Sequence, residues 1–89
     1  MVSGKTKTSF EFSVDENALN DMRLADLLAD KDIDPAFQLS GVLRYLLPGD
    51  QREKLYEHVQ TETGRVPVEA ISNEIADIFA AMGDPGKNS

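Results

Sequence analysis

The most apolar segment of the chain reads AFQLSGVLRYLL and spans residues 36–47. It follows Asp34 and Pro35, a pair typical of a helix start, because the carboxylate accepts free amide protons and proline fits the first turn. Apolar side chains surround most of this predicted helix, so it should be central in the fold or covered by a partner. Gly41 in its middle lowers helix stability by about 1 kcal/mol relative to alanine, which a close approach of another backbone would offset.

A strand and a helix are predicted before this segment. Apolar and polar residues alternate over residues 8–14, which predicts a strand. Helical spacing of leucines then predicts a helix that ends near Ala29, with Asn20 or Asp21 as its N-cap. Because the strand has no obvious hairpin partner, we expect it to pair with residues 65–68 or across a subunit interface.

Two further helices are predicted after the central one. The first covers residues 51–61, with Asp50 as its N-cap and Gly64 as its left-handed terminator. The last runs from about Val68, or one residue earlier, to Met82. Its apolar residues recur at heptad spacing, which favours an intramolecular core over a helix interface shared between subunits.

The predicted fold is mainly α, with about four short helices in a compact bundle and one N-terminal β-strand. A length of 89 residues allows one domain at most, so we expect a single helical domain over residues 8–82 between flexible ends at residues 1–7 and 83–89. The chain has no cysteine, so neither a disulfide nor a thiolate zinc site can supplement the core. No apolar run approaches the roughly 18 residues that cross a bilayer, and residues 1–8 lack the apolar stretch of a secretory signal.

Charge is unevenly distributed along the chain. There are 9 Lys and Arg against 16 Asp and Glu, a net charge of -7. Residues 11–34 hold eight acidic side chains against Arg23 and Lys31, whereas residues 44–65 are neutral overall. Such a surplus of carboxylates argues against binding to phosphate backbones and favours a neutral or basic protein partner. We therefore expect neither nucleic acid nor membrane as a partner.

The sequence matches only the first part of one metal-binding motif. Asp30, Asp32 and Asp34 have the alternate spacing that opens a calcium loop of the EF-hand type. The position that requires glycine is Pro35, and the position that requires a bidentate glutamate is Gly41. We therefore predict no metal site, and interpret Asp34 as a helix cap.

No constellation for catalysis is evident. His58 is the only histidine, and no serine or threonine lies in a pattern that suggests a nucleophile with a base. We therefore predict neither enzymatic activity nor a cofactor. Tyrosines and apolar residues suit either the edge of a core or a protein interface. The candidate partner-binding residues are Phe10, Phe12, Phe37, Leu39, Arg44, Tyr45, Leu47 and Tyr56.

Taken together, several segments resemble the small tail assembly chaperones of long-tailed bacteriophages and prophages, of the siphovirus type. The resemblance covers roughly residues 8–82. The segments that carry it are FEFSVDENAL at 10–19, DMRLADL at 21–27, VLRYLL at 42–47, and GRVPVEA at 64–70 leading into IADIF at 75–79. Where such sequences often have an aromatic residue between positions 21 and 24, this chain has Met22.

The resemblance implies a helical protein that binds the long, aggregation-prone tape measure protein and helps tail tube subunits to polymerise around it. It implies a location in the host bacterial cytoplasm and absence from the mature virion. Many such proteins also have a frameshifted longer form whose extension recruits tail tube protein, and Lys87-Asn88 after Gly86 is compatible with a slippery heptamer, A-AAA-AAC.

Other functions stay open at this stage. The chain has the size and helical character of a head-tail connector or completion protein, which would remain in the particle. An acidic inhibitor that mimics nucleic acid is a second alternative, although the neutral segment at residues 44–65 argues against it. Association into a homo-oligomer is a further expectation.

Overall fold

A computed structural model of the chain describes residues 2–47 and 49–82, apart from the side chain of residue 19. The predicted class is confirmed, because four α-helices form a compact unit with strands at the N-terminus. The predicted tail at residues 83–89 lies outside the described residues. The elements are β1 (Val2–Lys5), β2 (Glu11–Val14), a 3-10 helix (Glu16–Asn20), α1 (Met22–Ala29), α2 (Pro35–Leu46), α3 (Asp50–Val59) and α4 (Val68–Ala81).

The strand β2 has a partner that the sequence did not reveal. β1 and β2 pair antiparallel, with Val2 opposite Val14 and Lys5 opposite Glu11. The expected pairing of β2 with residues 65–68 is therefore wrong, and Val2–Lys5, within the N-terminal segment expected to be flexible, form a strand. The four residues VSGK of β1 carry only one apolar side chain, so no alternation marks them as a strand.

A tight turn shortens β2 relative to the prediction. The strand begins at Glu11 rather than at residue 8, because the preceding residues form the turn of the hairpin. The Thr6 amide donates to the Phe10 carbonyl at 3.0 Å, and the Ser9 amide donates to the Thr6 carbonyl at 2.9 Å. Ser9 has a φ of 72°, which is the left-handed backbone conformation that three-residue hairpin loops often require.

One apolar core joins the sheet to all four helices. The inner face of β2 and the residue before it pack against the helices, and α2 and α4 each contribute three buried apolar residues. This confirms the core interpretation of the α4 stripe, although Val68 at its start is half exposed. The buried apolar residues are Phe10, Phe12, Val14, Leu24, Val42, Leu43, Leu46, Leu47, Leu55, Ile71, Ile75 and Ile78.

Two predicted helix caps are confirmed. The Asp21 side chain accepts a hydrogen bond from the amide of Arg23 at the start of α1, and Asp34 accepts one from the amide of Ala36 at the start of α2. Both O···N distances are 2.8 Å. Each carboxylate satisfies an amide that has no partner within its helix.

The two predictions for the ends of α3 are wrong. Asp50 is the first residue of the helix rather than its cap, and Gly49 with a φ of 71° occupies the cap position. Gly64 has the expected left-handed backbone, with a φ of 83°. However, α3 already ends at Val59, so Gly64 shapes a turn in the following loop instead of terminating the helix.

α1 and α2 form an antiparallel helical hairpin. The Gln38 side-chain amide donates to the Leu27 carbonyl at 2.8 Å, across the loop that joins the helices. Gly41 faces Leu27, and a Cβ at that position would lie 2.6 Å from Leu27 Cδ2. The close approach expected at Gly41 is thus made by a side chain rather than by a backbone.

In residues 2–47 and 49–82, no helix is both long enough and apolar enough to span a lipid bilayer.

Candidate partner-binding surface

Three of the predicted partner-binding residues belong to the core. Phe10 is 6% exposed, Phe12 is 3% exposed and Leu47 is fully buried. Their side chains contact this chain and are not accessible to a partner, so their assignment to a binding surface is corrected. A small domain buries a limited fraction of its surface, and it needs its large apolar side chains for its own core.

Phe37, Arg44 and Tyr45 lie on an accessible side of α2. Phe37 is 70% exposed and Tyr45 is 38% exposed, and Arg44 is also exposed. Residues four and seven positions apart lie on the same side of a helix, so Gly41 and Arg44 continue the line that begins at Phe37. This side of α2 therefore offers an exposed aromatic residue at each end and a residue without a side chain between them.

The same side of α2 borders a groove shared with α1, which we call the α1–α2 groove. Its volume is about 530 Å³. Leu27 lies beside Gly41 and contributes apolar surface, and charged residues line the rest of the groove. The residues that line the groove are Arg23, Asp26, Leu27, Asp30, Gly41, Arg44 and Tyr45.

The α1–α2 groove has two arginines near one end and aspartates elsewhere, with Asp26 one helical turn from Arg23. In the antiparallel hairpin, Arg23 at the start of α1 lies at the same end as Arg44 near the end of α2. Asp30 follows the other end of α1, and Asp34 precedes α2 at that end. Among the described residues, none of these four side chains forms an ion pair. Both ends are therefore free to interact with charges of a partner.

The aspartates of the α1–α2 loop serve the backbone. Asp30 Oδ1 accepts a hydrogen bond from the Asp32 amide at 2.9 Å, and Asp34 caps α2. In the part of the chain that the structure describes, no group of three or more His, Asp or Glu side chains is arranged to hold a metal ion.

Leu39 and Tyr56 lie at a different place from the groove. Both are half-buried and line a cavity of about 180 Å³ between α2, α3 and the start of α4. Its lining is mainly apolar and includes Leu43 and Ile71 from the core. The predicted residues thus form two separate accessible sites, of which the α1–α2 groove is the larger.

A buried carboxylate is the main feature that the sequence did not reveal. Glu74 on α4 is 2% exposed. Its Oε1 accepts a hydrogen bond from the Thr6 hydroxyl and its Oε2 accepts one from the Thr8 hydroxyl, both at 2.8 Å. Glu74 lies on the same side of α4 as Ile71 and Ile75, which is the signal that could have identified it. These bonds attach the turn of the hairpin to α4.

His58 and Lys7 extend this attachment. His58 Nε2 lies 3.0 Å from the Thr8 carbonyl oxygen, which can only accept, so Nε2 carries the proton of this hydrogen bond. The imidazole also packs against Phe10, with ring centroids 5.5 Å apart. The Lys7 amide donates to Asp77 Oδ2 at 2.9 Å. The geometry is that of a structural cluster, since it satisfies the polar groups of a turn.

Comparisons of the chain with protein families, with curated proteins and with solved structures found no match.

Proposed function

We propose that the chain is a tail assembly chaperone of a long-tailed phage or prophage, which binds the tape measure protein and promotes tail tube assembly. The sequence resemblance over residues 8–82 supports this proposal. The structural observation that carries it is the exposed aromatic pair of α2, Phe37 and Tyr45, beside the α1–α2 groove. A groove that combines the apolar surface of Leu27 and Tyr45 with charged side chains suits an amphipathic helix, which is the secondary structure expected of a tape measure protein.

In this proposal the chain acts by binding and not by covalent chemistry. It covers apolar helical segments of its client in the host cytoplasm, and its acidic surface keeps the complex dissolved. It leaves before the virion is complete. A longer product, made by a minus-one frameshift near Lys87, would carry an extension that recruits tail tube protein.

The proposal is tested by coexpression with the tape measure protein from the same genome. We expect the two chains to copurify. Tyr45→Asp should abolish copurification, because it replaces an exposed aromatic side chain in the lining of the α1–α2 groove by a charge. Met22→Asp is a matched control, since Met22 is 72% exposed but does not line the groove. Absence of copurification for the wild-type chain, or equal loss in both variants, would contradict the proposal.

Mass spectrometry of purified virions separates the proposed function from a head-tail connector. A chaperone should be absent from the particle, whereas a connector or completion protein would be retained at a fixed number of copies. Binding to a DNA-binding enzyme in place of the tape measure protein would instead support the nucleic-acid mimic.

A further inference from the structure

The two outer edges of the N-terminal hairpin differ in what covers them. At the outer edge of β2, Gln51 Oε1 accepts a hydrogen bond from the Ser13 amide, and Gln51 Nε2 donates to the Ser13 carbonyl, both at 2.9 Å. The side-chain amide of Gln51 thus occupies the place of a neighbouring strand. These two bonds also show that the backbone amide and carbonyl of Ser13 point away from β1.

The outer edge of β1 has no such cover. Ser3 lies opposite Ser13, so its amide and carbonyl also point away from the hairpin, and those of Lys5, two residues further along, point the same way. Among the described residues, no group forms a hydrogen bond with the backbone of Ser3 or Lys5 at this edge. Both residues are exposed. This edge therefore presents two amides and two carbonyls in the pattern that another strand requires.

We propose that β1 pairs antiparallel with β1 of a second copy of this chain, so that the two hairpins form one four-stranded sheet. Ser3 lies opposite Lys5 of the partner subunit, and the two-fold axis repeats this pair. Each pair exchanges two backbone hydrogen bonds, which gives four in all. Gly4 lies opposite Gly4 of the partner subunit, on the axis.

The charges of β1 favour this register over its neighbours. A shift by two residues in one direction places Lys5 opposite Lys5 of the partner subunit, and like charges at opposing positions destabilise a sheet. The opposite shift leaves Ser3 opposite Ser3 of the partner subunit as the only bonded pair among the described residues. In the proposed register, Lys5 lies between Ser3 of the partner subunit and Glu11 of its own chain. The edge lysine, which often discourages pairing, is therefore accommodated here.

The residues around β1 are short, which favours a close approach of the second copy. Gly4 has no side chain, and the Phe12 ring of the same chain covers it, since a Cβ at Gly4 would lie 3.1 Å from Phe12 Cζ. The helix α4 contacts β1, and beside the hairpin turn it exposes Ala76, with Ala80 one turn further on the same side. Short side chains of this kind allow two helices to approach to about 8 Å.

The covered edge of β2 limits the assembly to two copies. A hairpin with two open edges could add strands repeatedly, as open-ended assemblies do. In the proposed dimer, both outer edges of the four-stranded sheet carry Gln51. The pairing also converts a two-stranded sheet, which is marginally stable by itself, into one of the usual size.

Sedimentation equilibrium over a concentration series measures this association. We expect the mass to rise from the 9.8 kDa of one chain to twice that value. Ser3→Pro removes the outward amide and is compatible with an edge strand, so the hairpin should persist while the association constant falls about 10-fold or more, because two hydrogen bonds of the dimer are lost. Ser3→Ala retains the amide and is the matched control, with an expected change of less than about 2-fold.

Disulfide crosslinking tests the register without a proline, and the chain has no cysteine that could interfere. Opposing residues of a hydrogen-bonded pair have Cα atoms about 5.5 Å apart, which a disulfide can bridge, whereas diagonal neighbours at about 7 to 8 Å are too distant. A mixture of Ser3→Cys and Lys5→Cys chains should therefore oxidise to a mixed dimer. Each variant alone should form much less disulfide.

Several results would overturn the inference. These are a wild-type chain that is monomeric throughout the series, equal association of Ser3→Pro and Ser3→Ala, and crosslinking of Ser3→Cys alone in preference to the mixture. If the wild-type chain is monomeric and Ser3→Pro instead abolishes copurification of the tape measure protein, the edge of β1 binds an extended segment of the client. The inference would then fail while the proposed function stands.

Discussion

Replacing Glu74 by alanine measures how strongly the N-terminal hairpin is held to α4. The wild-type carboxylate accepts two hydrogen bonds of 2.8 Å, from Thr6 and Thr8, in a site where it is 2% exposed. A hydrogen bond to a charged group contributes about 1.5 to 3 kcal/mol, so two such bonds contribute about 3 to 6 kcal/mol. Removing a buried charge also removes its desolvation cost, which offsets part of this gain.

We therefore expect Glu74→Ala to lower the free energy of unfolding by about 2 to 3 kcal/mol. Glu74→Gln should lower the free energy of unfolding by about 1 kcal/mol, because the threonine hydroxyl groups can rotate and accept hydrogen bonds from the new side-chain amide. Thr6→Val in combination with Glu74→Ala completes a double-mutant cycle, and its coupling energy should be about 1.5 kcal/mol.

Urea unfolding followed by far-ultraviolet circular dichroism measures these values, since the chain has no tryptophan. Glu57→Ala on the exposed side of α3 is the control and should change stability by less than about 0.5 kcal/mol. The reasoning is refuted if Glu74→Ala is as mild as this control, or if Glu74→Gln is as damaging as Glu74→Ala.

Two further predictions concern stability. Leu55→Ala should lower the free energy of unfolding by about 2 to 5 kcal/mol, because Leu55 is fully buried and joins α3 to the core. In the same urea titration, Val68→Ala at a half-exposed position should lower the free energy of unfolding much less. Ser9→Gly should raise the thermal midpoint, since glycine adopts the φ of 72° at this turn without the penalty of about 1 kcal/mol that a side chain incurs. Ser9→Ala retains that penalty, and an equal rise of the midpoint for Ser9→Ala would contradict the explanation.

Local patterns were sufficient to predict the helices. The spacing of apolar residues marks α1, α2 and α4, and the caps Asp21 and Asp34 fix where two of them begin. These features depend on residues within a few positions of one another, which a sequence displays directly. Phe37 is predicted to contact a partner because α2 has more apolar residues than one buried face can hold, and the structure shows only that its side chain is 70% exposed.

Features that depend on distant contacts were not predicted. β1 is a strand because it pairs with β2 and lies against α4, and its own sequence shows no period of two. Glu74 is buried because two hydroxyls from the hairpin turn reach it, and neither threonine is near it in the sequence. Phe10 and Phe12 were predicted to contact a partner, because the sequence offered no neighbouring strand for β2 within the same chain. Each of these features depends on the hairpin that β1 forms with β2, and β1 could not be predicted from the sequence.

The attachment of the hairpin to α4 also sets the order in which a newly made chain can mature. Thr6 and Thr8 leave the ribosome early, yet their acceptor Glu74 lies 68 and 66 residues further along the chain. The turn of the hairpin therefore has no attachment to Glu74 until the final helix has been synthesised. A product that terminates before α4 would lack these acceptors for its N-terminal turn, and proteases of the cell would be expected to remove it.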